Sequence, residues 1–80
     1  MIDLEHKTYY INLFDCYQKL LTNKQIKIFK YYFFEDFSYA EIAKLFNISR
    51  AGVCDIIQRI IKQLFKYQDK LNMYQGKIKK

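Results

Sequence analysis

Glu41-Ile42-Ala43-Lys44-Leu45-Phe46-Asn47-Ile48-Ser49-Arg50-Ala51-Gly52-Val53-Cys54-Asp55-Ile56 is a run of sixteen residues that reads as two helices meeting at a sharp corner. Helices that cross at about 90–120° after a three- or four-residue turn approach closely near the corner, so the first of them needs a small residue there. Ala43 meets that need. The corner itself wants a residue that tolerates positive φ, usually Gly and sometimes Asn, and Asn47 stands in that place. Ile42, Phe46, Ile48, Val53 and Ile56 are the expected apolar pins between the two helices and the rest of the chain. Ser49 is an N-cap candidate for the second helix, whose opening turns then carry Arg50, Ala51, Cys54 and Asp55. Spacing of this kind also fits a plain αα-corner in a helical bundle.

Upstream, two further start signals appear. Thr22-Asn23-Lys24-Gln25 and Ser38-Tyr39-Ala40-Glu41 each place a hydroxyl three residues before a Gln or Glu, the pattern of a capping box. They divide the chain into four predicted helices. The first is expected over roughly residues 3–20, with Tyr10, Leu13, Phe14, Tyr17, Leu20 and Leu21 on one face. A second is expected from about Asn23 to Phe34, with Ile26, Phe29, Tyr32 and Phe33 inward and Lys24, Lys27 and Lys30 outward. Glu35-Asp36-Phe37 forms the connection to a short third helix, Tyr39 to Phe46, with Ile42, Ala43, Leu45 and Phe46 as inward candidates.

Beyond Gly52, in the opening turn of the helix that starts after Ser49, no breaker occurs until Gly76. Apolar residues fall at 53, 57, 60, 64, 67, 71, 74 and 78, steps of four and three in strict alternation, which is a heptad seam. A helix from Arg50 to Gln75 would be about 39 Å long at 1.5 Å per residue, whereas a compact chain of this size has a radius of gyration of about 12 Å. The far end of the seam therefore calls for a partner. A second copy is the simplest one, with Leu64, Tyr67, Leu71 and Tyr74 as the contact residues of a two-fold dimer.

Composition agrees with an all-helical reading. The 80 residues contain no proline and two glycines, and 51% are hydrophobic, which excludes a wholly disordered chain. The length fits one domain over residues 1–80: the helix-turn-helix at about 38–60, a helical extension at about 61–75 and a tail at 76–80. No apolar run approaches a membrane span and no secretory leader pattern opens the chain, so a cytoplasmic protein without membrane contact is expected. Cys16 and Cys54 stand apart and His6 has no companion ligand, so no metal site is expected. There is no acid/base pair, no Gly-rich phosphate loop and no nucleophile beside a base. An enzyme, a cofactor and a small-molecule substrate are accordingly not expected.

The formal net charge of +6 is concentrated. Residues 1–43 carry five lysines against six acidic residues, while residues 44–80 carry nine basic residues against two acidic ones. Lysine-heavy, isoleucine-rich usage also looks like that of an AT-rich genome. The basic half nevertheless begins at Lys44, inside the corner motif, so field and motif coincide and point to a nucleic-acid partner. In that geometry the second helix enters the major groove of double-stranded DNA by its N-terminal residues. Arg50 can pair with a guanine edge, Ala51 and Gly52 allow close approach, Cys54 lies beside them, and Asp55 either accepts from a cytosine amino group or pairs with Arg59. Lys44, Ser49, Arg59 and Lys62 suit phosphates.

Leu21-Thr22-Asn23-Lys24-Gln25, Tyr31-Tyr32-Phe33-Phe34-Glu35-Asp36-Phe37-Ser38-Tyr39-Ala40-Glu41-Ile42-Ala43 and Ile48-Ser49-Arg50-Ala51-Gly52-Val53 together resemble the YlxM/p13-like small helix-turn-helix proteins of low-GC bacteria. The middle section is similar to region 4 of bacterial sigma factors. The resemblance spans about residues 9 to 75. It implies an all-α small helical bundle with a sigma-70 region 4-like helix-turn-helix, no wing, and a long C-terminal helix. It further implies a bacterial DNA-binding protein with a role in transcription regulation, linked through gene neighbourhood to the signal recognition particle GTPase. The alternative it leaves open is an accessory protein that binds the particle's RNA or its GTPases. Members commonly carry a longer residue and then Ala where this chain has Ala51-Gly52, and Tyr in place of Cys54, so the reading surface here is smaller.

Overall fold

Both capping boxes form. In a computed structural model describing residues 7–72, the Thr22 side chain accepts from the Gln25 N–H at 3.1 Å while the Gln25 side chain accepts from the Thr22 N–H at 3.0 Å. Ser38 and Glu41 do the same at 3.1 and 2.8 Å. Each box satisfies two N–H groups that a helix start otherwise leaves orphaned. The elements in order are α1 (Lys7–Tyr17), a 3-10 turn (Gln18–Leu20), α2 (Asn23–Phe33), α3 (Tyr39–Phe46) and α4 (Arg50–Leu71), with no strand among the described residues. This is an all-α fold.

Helix α4 packs against each of the other three helices. Its Val53, Ile57, Ile60 and Leu64 are fully buried, joined by Leu13, Phe14 and Tyr17 from α1 and Ile28, Phe29 and Phe33 from α2. At the centre the Phe14 and Phe29 rings stack at 4.2 Å and 6°, and Phe29 stacks on Phe33 at 4.3 Å. Among the described residues Tyr17 is the one hydroxyl carried so deep, and it donates to the Gln68 side chain of α4. A buried O–H without such a partner would be costly.

Several expectations need correction. Helix α1 ends at Tyr17, because the chain must turn to reach the Thr22 cap; it does so through the 3-10 turn, which leaves Leu20 51% exposed. The expected start near residue 3 lies outside the described residues. In α2 the buried stripe runs through Ile28, Phe29 and Phe33, while Ile26 and Tyr32 are only half-buried. Leu45, expected inward, is 55% exposed, since so short a helix buries one narrow face through Ile42 and Ala43. Ile61, off the heptad columns, is buried.

The seam of α4 is also corrected. Leu64 is sealed inside its own chain and has no surface for a second copy. Tyr67 is half-covered, its ring 6.0 Å from that of Tyr17 and its hydroxyl donating to the Leu20 carbonyl at 3.4 Å. Only Leu71 is substantially exposed; Tyr74 lies outside the described residues. Helix α4 stops at Leu71 rather than running to Gly76, because Asn72 turns left-handed at φ 50° and accepts from the Gln68 side-chain amide. Its 22 residues make a rod of about 33 Å. The fold itself measures 36 × 25 × 18 Å with a radius of gyration of 12.6 Å, so α4 is nearly as long as its greatest extent.

Candidate nucleic-acid interface

The corner between α3 and α4 turns on Asn47, which adopts the left-handed conformation with φ 55° and ψ 47°. The Ile48 N–H returns to the Ala43 carbonyl at 3.0 Å, the six-to-one bond that closes a helix C-terminus of this kind. Asn at this position costs less than a branched residue because its short amide tolerates positive φ. Ala43 is buried at the crossing, and Ile42 and Val53 are fully buried beneath it. Phe46, Ile48 and Ile56 pack against this core while keeping some exposure.

Ser49 then opens α4, its hydroxyl accepting from the Gly52 N–H at 2.9 Å. The glycine has a second role that spacing could not disclose. A Cβ placed on Gly52 would come within 3.2 Å of the Ser49 hydroxyl, so the small residue lets the cap sit close. Arg50, Ala51 and Asp55 are exposed, as are Lys44, Ser49, Arg59 and Lys62, whereas Cys54 is half-buried. Ser38, Tyr39, Ala40, Arg50, Ala51 and Cys54 line one shallow open cleft where the starts of α3 and α4 converge.

Of the two roles the sequence leaves open for Asp55, the pairing with Arg59 is present in the structure. The Arg59 Nε donates to the Asp55 carboxylate at 3.0 Å, on side chains that are 61% and 74% exposed for Asp55 and Arg59 respectively. An ion pair so exposed contributes little, about 0.3–0.5 kcal/mol, and yields readily to a competing partner. The acidic Glu41 is committed to its capping box. Nothing acidic other than Asp55 stands on the opening turns of α4.

Tyr39 is a feature that sequence inspection missed. Its ring stacks on Tyr32 at 5.1 Å and 21°. Partial burial, followed by the neighbouring Tyr32 hydroxyl and Cys54 thiol, pushes the Tyr39 phenol above its ordinary value. Tyr39 thus stays neutral and ties the start of α3 both to α2 and to the first turns of α4. The signal for it was the capping box itself, which fixes Tyr39 as the first residue of α3.

Two helices set at a left-handed Asn corner, the second capped by Ser49 and opening into solvent, define a helix-turn-helix protein. The chain belongs to the family described as "Putative helix-turn-helix protein, YlxM / p13 like", whose model matches residues 4–80. Among its relatives is a UPF0122 protein of Ureaplasma parvum serovar 3, 39% identical over 75 residues that cover 94% of this chain and 76% of that one. One from Oceanobacillus iheyensis is 48% identical over 69 residues, covering 85% and 66%. A third, from Staphylococcus aureus, is 48% identical over 63 residues, covering 79% and 57%. No helix among the described residues is long and apolar enough to cross a membrane.

Proposed function

We propose that this chain binds double-stranded DNA in the bacterial cytoplasm, with the first turns of α4 in the major groove. The observation that carries the reading is the solvent-facing start of α4: Arg50, Ala51 and Asp55 are exposed at a corner held by Asn47, in the half of the chain that bears the excess positive charge. Arg50 reads a base edge, Ala51 and Cys54 line the approach, and Asp55 exchanges its pairing with Arg59 for a base or a water. Lys44, Ser49, Arg59 and Lys62 meet phosphates. A gel shift with duplex DNA at low salt tests this. Retardation that weakens steeply with salt is expected, and the absence of a shift, together with an Arg50→Ala variant that behaves as wild type, overturns it.

The link to the signal recognition particle enters as a second reading, favoured by the small side chains Ala51 and Gly52, which offer few atoms for base recognition. In this reading the same basic face takes the particle's RNA or its GTPases. Preference for that RNA over duplex DNA in a direct competition decides for it. A homodimer is part of the first reading, since two copies present two α4 helices to two half-sites. With Leu64 buried, the candidate contacts left among the described residues are the half-covered Tyr67 and the exposed Leu71. Sedimentation of a concentrated sample as a dimer is expected, and a monomer removes the dimer.

A further inference from the structure

Ala51, Asp55, Arg59, Lys62, Lys66 and Lys70 are all exposed, and at 3.6 residues per turn they fall within one sector of α4 about 100° wide. That sector lies opposite the buried line Val53, Ile57, Ile60 and Leu64. Ala51 and Asp55 of the opening turns therefore share a single solvent ridge with the lysines of the distal half, while Arg50 stands about 100° round the helix from Ala51, beside that ridge. Asp55 answers Arg59, and Asp69 is the other acid of the ridge, while Lys62, Lys66 and Lys70 make no ion pair among the described residues.

Two features set this ridge apart from an ordinary solvated helix face. A free helix gains from opposite charges at i, i+4 and loses from like charges there. Lys62–Lys66 and Lys66–Lys70 are two consecutive like pairs, of which the Lys66–Asp69 spacing offsets about one, so the balance still works against the isolated helix. Their spacing is also regular. Four residues advance a helix by about 6 Å, so Lys62, Lys66 and Lys70 repeat a positive charge at a regular step toward the regularly repeated negative charge of a nucleic-acid strand.

We propose that Lys66 and Lys70 extend the contact of α4 with duplex DNA beyond the groove-reading turns, making the whole ridge a rail for phosphates of one strand. The inference rests on the DNA-binding reading above and adds two residues and a direction to it. The helix is anchored by the core as far as Leu64, and beyond it by Tyr67 against Tyr17 and by Gln68, which accepts from the Tyr17 hydroxyl, so the backbone of the rail is preformed.

The test is the salt dependence of affinity for a duplex two to three turns long, measured for wild type, for Lys66→Ala/Lys70→Ala and for Lys27→Ala/Lys30→Ala. The last pair removes the same charge from the exposed face of α2. Each phosphate contact contributes about 0.9 to the slope of log affinity against log salt. Loss of about 1.8 for the α4 pair, with less than about half that for the α2 pair, supports the rail. Equal losses, or an unchanged slope in the α4 pair, overturn it while leaving DNA binding intact; failure of wild type to bind duplex overturns the parent reading as well. An RNA hairpin run in parallel separates the polyanions, since a slope loss confined to RNA also overturns the proposal. A Lys66→Glu variant guards against mere unfolding. It replaces two like pairs by opposite ones and makes one new like pair with Asp69, so on balance it should raise the melting temperature by about 3 °C while weakening duplex binding. A fall in both quantities counts against the rail.

Discussion

At the scale of single residues the corner depends on conformations more than on contacts. Asn47 holds φ 55° where most side chains would be strained. Asn47→Gly should therefore be close to neutral and Asn47→Ala should cost about 1 kcal/mol, read as the shift in urea midpoint at constant slope. Tyr39 makes a prediction about pH. Its phenol is raised above the ordinary value, chiefly by burial, so the native state keeps a proton that the unfolded chain gives up above about pH 10. The stability that this contributes is complete below about pH 10 and is lost as pH rises further. Thermal melts between neutral and strongly alkaline pH should show a shallower alkaline fall in Tyr39→Phe than in wild type. Residues of this kind were unevenly legible. Asn47 and both capping boxes could be read from local chemistry, because each motif is closed within a few positions. Asp36, at φ 61° in the connection after α2, carried no such sign. The pairing of Asp55 with Arg59 was legible as one of two options, since an i, i+4 spacing fixes proximity and not occupancy.

At the scale of elements, the order and starts of α2, α3 and α4 followed from caps, whereas inward faces were read less well. Ile28 and Ile61 were passed over, and Leu20 and Leu45 were placed inside. Apolar character alone does not say which neighbour covers a position. Ile28 is buried because α2 is held against α4, and Leu45 is exposed because α3 rests on one narrow face. The seam of α4 was read correctly as apolar but assigned to the wrong partner at Leu64, since its own α1 and α2 already fill that length. Phe29 sits where these helices meet, stacked on Phe14 and Phe33. Phe29→Ala should cost about 3–5 kcal/mol, a large share of the about 4–12 kcal/mol that a domain of 80 residues commonly has. Thermal melting followed by circular dichroism should show a large drop in midpoint or no cooperative transition. Phe29→Leu should retain most of the stability.

At the scale of the whole molecule, the rod of α4 carries the core on one side and the basic ridge on the other, and its first turns are offered to solvent by the α3–α4 corner. Charge asymmetry along the chain was visible in the sequence. Its gathering on one face of α4 went unread, although the seam at 53, 57, 60 and 64 marks the side the core takes, because the charges were followed along the chain and not around the helix. The central claim is that Arg50 and its neighbours meet DNA in the major groove. Selection from a pool of random duplexes, carried out side by side with wild type and Arg50→Ala, tests it most directly. Wild type should enrich a short sequence containing a guanine, and Arg50→Ala should keep salt-sensitive binding while losing about 1–3 kcal/mol of preference for that base. Enrichment of the same sequence by both proteins, or of none by wild type, would contradict it.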